Sequence, residues 1–211
     1  MTLKPHPYQE KALAFSKSRV CSYQALDMGL GKTLIALQWS KERLGSTLVI
    51  APLSGVDITW PDEILKWVPD QSFTILHGPE KLERLLGPTK KYYIINYDGL
   101  PWLFKNLVEI FKAKKPMPFR SMIIDEGSML KSHRTKRFKV MKQVKDLCNQ
   151  GIMILSGTPA PNALLNLWSQ YYILDGGQRL GKTYGAFQDE FFTQKDMAGR
   201  VHPFRWFLKS P

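Results

Sequence analysis

The chain has 211 residues, enough for one domain with a sizeable core, and 44% of them are hydrophobic. Lys and Arg number 30 against 18 Asp and Glu, a formal net charge of +12 that favours a polyanionic partner, with nucleic acid foremost. Only two cysteines are present, no apolar run reaches membrane-spanning length, and Met1 to Pro7 lacks the apolar core of a secretory signal, so an intracellular, reducing setting without a disulfide framework, Cys-based metal site or membrane contact is expected.

Taken in chain order, Val20, Tyr23, Ala25 and Leu26 form a first strand candidate. The run Asp27-Met28-Gly29-Leu30-Gly31-Lys32-Thr33 follows, and an apolar helix is expected from Lys32 to Leu44, stopped by Gly45. Successive N–H groups at a helix N-terminus, in a loop that glycines let come close, cradle phosphate oxygens. Lys32 would reach the outer phosphates, and the Thr33 hydroxyl would ligate Mg²⁺. The phosphate-loop pattern asks for glycine where Leu26 stands, so the run also reads as a Gly-rich turn carrying Gly-Lys-Thr by chance.

Thr47–Ala51 is the next strand, and a helix over Trp60–Trp67 is expected, with Thr59 as its N-cap and Pro61, Asp62 and Glu63 in its first turn. The seven-residue spacing of Trp60 and Trp67 suits core packing better than base stacking. Phe73–Leu76 and Tyr92–Ile95 are further strands, followed by a helix over Trp102–Lys112 and a basic, Pro-containing loop over Lys112–Pro118. Met122–Ile124, a helix over Thr135–Leu147, Ile152–Leu155 and a helix over Leu167–Leu174 complete the series. The strand runs are unbroken rather than alternating, which suits strands buried on both faces of a parallel sheet. Alternating strands and helices predict an α/β fold, a three-layer lobe with a mostly parallel central sheet over residues 1–175. Apolar periodicity weakens from Gly176, so 176–211 is expected to be a C-terminal extension, with His202–Pro211 a tail or the start of a linker.

A second run, Gly176-Gly177-Gln178-Arg179-Leu180-Gly181-Lys182-Thr183, satisfies the phosphate-loop pattern letter for letter. A helix rather than a strand precedes it, so it reads as a basic surface turn.

Asp125-Glu126 closes the Met122–Ile124 strand. If that strand neighbours the one before the phosphate loop, Asp125 would hold Mg²⁺ through water while Glu126 orients and deprotonates an attacking water. Alone, the pair also reads as a solvated strand end. Ser156-Gly157-Thr158-Pro159 again follows a buried strand. Its small hydroxyls could link the carboxylates to a neighbouring surface, or simply form a turn.

In this order the motifs resemble the first RecA-like lobe of SWI/SNF-type ATPases in helicase superfamily two. Leu3-Lys4-Pro5-His6-Pro7-Tyr8-Gln9 is similar to the family's opening motif, whose glutamine reads adenine; here that is Gln9. Asp27–Thr33 resembles motif I, which in this family lacks the first glycine. Leu48–Ser54, with Trp60 and Trp67, resembles motif Ia; Ile94–Asp98, motif Ib; Asp125-Glu126-Gly127-Ser128 with Lys131-Ser132, motif II; and Leu155–Asn162 with Leu167-Trp168, motif III. The resemblance runs from about Leu3 to about Phe192.

The resemblance implies ATP and Mg²⁺, held by Gln9, Met28, Gly29, Leu30, Gly31, Lys32, Thr33 and Asp125, with Lys32, Asp125 and Glu126 catalytic. It implies Ser128, Ser156, Gly157 and Thr158 as coupling residues, and Pro52, Leu53, Ser54, Asn96, Tyr97, Lys131 and Ser132 as contacts to one tracked strand of duplex DNA, with RNA left open. The family usually has His where Ser128 stands, which bears on coupling. Arginine fingers and half of the DNA grip belong to a second lobe that the chain does not reach, so a partner lobe in cis or in trans is expected. The basic helix around Arg134, Lys136, Arg137, Lys139, Lys142 and Lys145 reads either as a solvated face or as a DNA contact, its apolar stripe being Phe138, Met141, Val144 and Cys148. The compact layout is similar to bacterial or viral members, which would place the protein in a bacterial cytoplasm or a virus-infected cell. The alternative is a non-hydrolysing nucleic-acid-binding or regulatory module that retains the lobe.

Overall fold

Six strands take up the uninterrupted apolar runs: β1 (Cys21–Ala25), β2 (Thr47–Ala51), β3 (Phe73–Ile75), β4 (Tyr92–Asn96), β5 (Ser121–Ile124) and β6 (Gly151–Ser156). The computed structural model describes residues 5–160, 163–195, 199–201 and 206–209. Leu3 and Lys4 of the opening motif, Pro161 and Asn162 of motif III, and His202–Arg205, Ser210 and Pro211 of the expected tail lie outside the described residues.

The six strands pair in parallel, in the order β1-β6-β5-β2-β4-β3. Successive side chains go to opposite faces, and both faces are buried. Leu48, Ile50, Tyr93, Ile95, Met122, Ile124, Ile152 and Ile154 join one core; Val49, Ala51, Ile94, Ile123, Met153 and Leu155 join the other. The first core is closed by Leu103 and Leu107 of α5 (Leu100–Lys112), Phe138 and Met141 of α6 (Lys136–Val144) and Trp168 and Ile173 of α7 (Leu167–Asp175). The second is closed by Leu37 and Trp39 of α2 (Lys32–Lys41) and Trp60 and Ile64 of α3 (Trp60–Trp67). This is the expected three-layer RecA-like α/β arrangement.

Several boundaries differ from expectation for local reasons. β6 lies between β1 and β5, so the strand carrying Asp125 is not the neighbour of the phosphate-loop strand. Helix α2 ends at Lys41 rather than Leu44: Arg43 N turns to Ser40 O at 3.1 Å in a tighter turn, and Lys91 Nζ donates to the carbonyls of Arg43 and Gly45 beyond it at 2.8 and 2.9 Å. Thr59 does not cap α3. Its backbone is already helical (φ −60°, ψ −50°), since a π-helical turn over Gly55–Thr59 runs straight into the helix. Helix α5 begins at Leu100, with Pro101 in its first turn. Thr135 does cap α6, its Oγ1 accepting from Phe138 N at 3.2 Å, but the last expected turn, Lys145–Leu147, is 3₁₀.

Helices α1 (Pro7–Lys17), α4 (Lys81–Leu86) and α8 (Tyr184–Phe191) were not expected. Only Gln9 and Ser16 of α1 are buried, so it carries no apolar stripe to read. Beyond α7, Phe187 of α8 and Phe192 join the first core, and the short strands β7 (Phe192–Thr193) and β8 (Phe207–Leu208) pair antiparallel.

Candidate functional site

Because every strand of the sheet runs the same way, the loops after β1, β6, β5, β2 and β4 leave from one edge, where open α/β sheets bind ligands. The register makes this concrete. Ala25 pairs with Ser156, Ile124 with Ile154, Ile50 with Ile124, and Ala51 with Asn96. The phosphate-loop run, the Ser156-Gly157-Thr158 segment, Asp125-Glu126, Pro52-Leu53-Ser54 and Asn96-Tyr97 therefore begin side by side at one level.

Gly31 is the N-cap of α2 at φ +75°, and Lys32 and Thr33 form that helix's first turn. The N–H groups of such a turn have no partner within the helix and suit an anion. A side chain at Gly31 would also collide with Gln9, whose Nε2 lies 2.3 Å from where a Cβ would stand. Gln9 is buried, accepts from His6 N at 2.9 Å and donates to Leu30 O at 3.2 Å. The opening-motif glutamine is thus fastened directly to the loop. Lys32 Nζ folds across it, donating to Leu26 O and Asp27 O at 2.8 and 2.9 Å. Met28 is 88% exposed at the tip, beside Gly29 at φ +79°.

Asp125 is anchored on both oxygens. Its Oδ2 accepts from the buried indole of Trp60 at 3.0 Å, and its Oδ1 from Glu126 N at 3.0 Å. Burial pushes its carboxyl above the ordinary range, and the Glu126 charge adds to this; the two donors and the Lys32 ammonium work the other way.

Glu126 has φ +53° and ψ +61°, a left-handed conformation that costs a non-glycine residue about 1–2 kcal/mol. It is held from several sides. Tyr97 O–H lies 2.6 Å from Asp125 O and 3.1 Å from Glu126 O. Ser128 Oγ and Ser156 Oγ both donate to Glu126 Oε1, at 2.5 and 3.2 Å. The next residue must be glycine in this geometry, since a Cβ on Gly127 would stand 2.3 Å from Ile154 Cγ2. Ser156 Oγ also accepts from Thr158 N at 3.2 Å, so one hydroxyl joins the loop after β6 to the acid. Gly157 packs against the phosphate loop, near Met28 and Leu26 O.

Of the expected strand contacts, Leu53 and Ser54 are exposed and Asn96 is half-buried, its Oδ1 accepting from Gly99 N at 3.1 Å. Tyr97 differs: it is buried with its hydroxyl turned inward, so its side chain is not offered to a phosphate. Lys131 and Ser132 open onto a separate cleft of about 330 Å³, with His133, Arg134 and Tyr184. The basic helix is partly engaged within the fold: Arg137 pairs with Asp98 at 2.7 Å, and Lys142 Nζ lies 5.0 Å from the Tyr172 ring centre.

Reading the sequence missed Trp60 and Tyr97 as supports, and also Gln170. Gln170 is fully buried, takes the Tyr23 hydroxyl at 2.6 Å and donates to Pro159 O at 2.8 Å, pinning the loop after β6. The run Gly176–Thr183 is a turn between α7 and α8. The N–H groups of Gly177 and Gln178 are taken by Asp175 Oδ1 at 2.9 and 3.1 Å, and Thr183 caps α8.

Fold and edge define a RecA-like α/β lobe. The family model for the SNF2-related domain matches residues 8–190, and the chain belongs to that family. The putative protein p41 of Acyrthosiphon pisum secondary endosymbiont phage 1 is 33% identical over 213 residues, covering 94% of this chain and 45% of the relative. The ATP-dependent DNA helicase DDM1 of Arabidopsis thaliana is 30% identical over 159 residues, covering 67% of this chain and 19% of the relative. Among solved structures, the Sulfolobus solfataricus SWI2/SNF2 ATPase core in complex with dsDNA matches with a TM-score of 0.69 and 27% identity, over 90% of this chain and 41% of that one. The chain thus spans less than half the length of these relatives. No helix among the described residues is long and apolar enough to cross a membrane.

Proposed function

We propose that the chain is the ATP-binding motor lobe of a SWI/SNF-type DNA-dependent ATPase, which translocates on duplex DNA when paired with a second RecA-like lobe. The observation that carries this reading is the convergence of the Lys32 loop and the Asp125–Glu126 pair on one sheet edge, bridged by the loop after β6, where Ser156 donates to Glu126 and Gly157 packs near Met28 and Leu26 O. Gln9 orients the adenine end, the first turn of α2 cradles phosphate, and Lys32 leaves the loop carbonyls for the outer phosphates. Glu126 Oε1 is occupied by two hydroxyls, which leaves Oε2 to accept a proton from the attacking water. That water adds to the outer phosphorus as the bridging P–O bond breaks.

The donor set fits Mg²⁺. Mg²⁺ is held by one or two carboxylates with phosphates and water rather than by an all-protein cage, which a single carboxylate and a hydroxyl at this edge can complement. Asp125, through water, and Thr33 would hold it, and it would neutralise charge on the phosphates. On the nucleic-acid side, Pro52-Leu53-Ser54, Asn96 and Lys131-Ser132 offer backbone, hydroxyl and ammonium groups, which position a strand without reading its sequence. The phage relative supports action in a bacterial or virus-infected cell.

Phosphate release by this chain, alone and with the second lobe, tests the proposal. The lone lobe should turn over near background; the pair should gain a factor of about a thousand or more from arginine charge stabilisation. Duplex DNA, single-stranded DNA and RNA are compared, with duplex expected to stimulate most. ATP binding without turnover in either setting would favour the non-hydrolysing module.

A further inference from the structure

We propose that Tyr97 is a positioning residue whose hydroxyl holds Glu126 in its left-handed conformation, tying the turn after β4 to the candidate base. The inference rests on the reading of Glu126 as that base. A left-handed non-glycine residue persists where its surroundings over-determine it, and such residues gather at active sites. Here the restraint is geometric. Asp125 C=O belongs to the peptide plane before the Glu126 Cα, and Glu126 C=O to the plane after it. The Tyr97 hydroxyl reaches both, at 2.6 and 3.1 Å. One hydroxyl, its single proton shared between the two carbonyls, therefore bears on both peptide planes beside the Glu126 Cα, alongside Met129 N–H on Glu126 O, while Ser128 and Ser156 hold only its carboxylate.

The phenol is well placed to stay there. It is 2% exposed, and burial, with the nearby Asp125 and Glu126 charges, keeps its proton on far above the ordinary tyrosine range. Tyr97 itself is held by its turn. Gly99 N donates to Asn96 Oδ1 across the turn, and the adjacent Asp98 pairs with Arg137, whose guanidinium lies 5.7 Å from the Tyr97 ring centre. Asn96 is the half-buried residue of this turn expected to meet a DNA strand. A shift of the turn therefore moves the hydroxyl that bears on the Glu126 peptide planes.

Tyr97→Phe keeps the ring and removes only the hydroxyl. In the whole chain, amide exchange at Met129, whose N–H donates to Glu126 O, and at Glu126 should quicken about tenfold. Mg–ATP affinity should stay within twofold. In the pair of lobes, kcat should fall about tenfold with KM within twofold. Tyr92→Phe is the control, because that buried hydroxyl meets Ser40 Oγ at 3.1 Å instead, and it should change neither exchange nor turnover at this site. Unchanged exchange, or a Tyr97→Phe enzyme as fast as the unmodified one, overturns the role alone. Failure of the unmodified chain to bind Mg–ATP overturns the functional reading and this role with it.

Discussion

The indole N–H of Trp60 donates to Asp125 Oδ2 at 3.0 Å, so a fully buried core residue of α3 also orients an acid at the sheet edge. A hydrogen bond to a charged group contributes about 1.5–3 kcal/mol. Trp60→Phe should therefore weaken the Mg²⁺-dependent part of ATP binding about tenfold or more, and lower the melting temperature through the smaller ring. Titrating ATP with and without Mg²⁺ separates the two effects. An unchanged Mg²⁺ dependence would show that the indole only fills space.

The two acids should separate cleanly. Glu126→Gln keeps the shape, and its side-chain oxygen can still accept from Ser128 and Ser156, but the base is gone. Paired with a second lobe, it should bind ATP within about threefold of the unmodified protein while turnover falls by a factor of about a hundred or more. Asp125→Asn should lose the Mg²⁺ dependence of binding instead. Equal turnover in the unmodified protein and Glu126→Gln would remove Glu126 from the chemistry.

Much of this fold was legible in the residues because unbroken apolar runs such as Thr47–Ala51 and Ile152–Leu155 have few other uses than two-sided burial. What was not legible depends on where neighbours fall. Strand order needs β6 to insert between β1 and β5, which no local pattern encodes. Helix α1 lacks an apolar stripe. Tyr97 lies within a motif read as facing DNA, yet its hydroxyl turns inward, and only the register of β4 with β2, and of β2 with β5, shows why it reaches Asp125. The two phosphate-loop candidates differ in context: the better pattern match follows helix α7, and its Gly177 and Gln178 N–H groups are engaged by Asp175.

The cysteines offer a check on packing that is independent of nucleotide. Burial pushes the Cys148 thiol up to about 12 and raises Cys21 as well, Cys21 being the less buried of the two. Thiolate is the reactive form. At pH 8 a thiol reagent should therefore label Cys21 slowly and Cys148 only when the lobe unfolds. Mass spectrometry after timed alkylation reads this directly. Labelling of Cys148 as fast as Cys21 in the folded protein would contradict the packing of α6 against the sheet.

Any nucleic-acid binding by the lobe should be indifferent to sequence and should weaken steeply with salt, because phosphate contacts release counterions. Fluorescence anisotropy with two unrelated duplexes across a salt series measures both properties. A strong preference for one duplex would point to base contacts that the exposed Leu53, Ser54 and Lys131 do not supply.

The central claim is that the loop after β1, and not the turn after α7, binds ATP. Isothermal titration of Mg–ATP into the 211-residue chain, into Lys32→Ala and into Lys182→Ala tests it most directly. Lys32 stands in the first turn of α2 and its side chain only reaches loop carbonyls, so its loss should leave the fold intact and weaken binding at least about tenfold, the loss of one charge-assisted contact to phosphate. Lys182→Ala should bind as the unmodified chain does. A larger loss for Lys182→Ala than for Lys32→Ala would contradict the account.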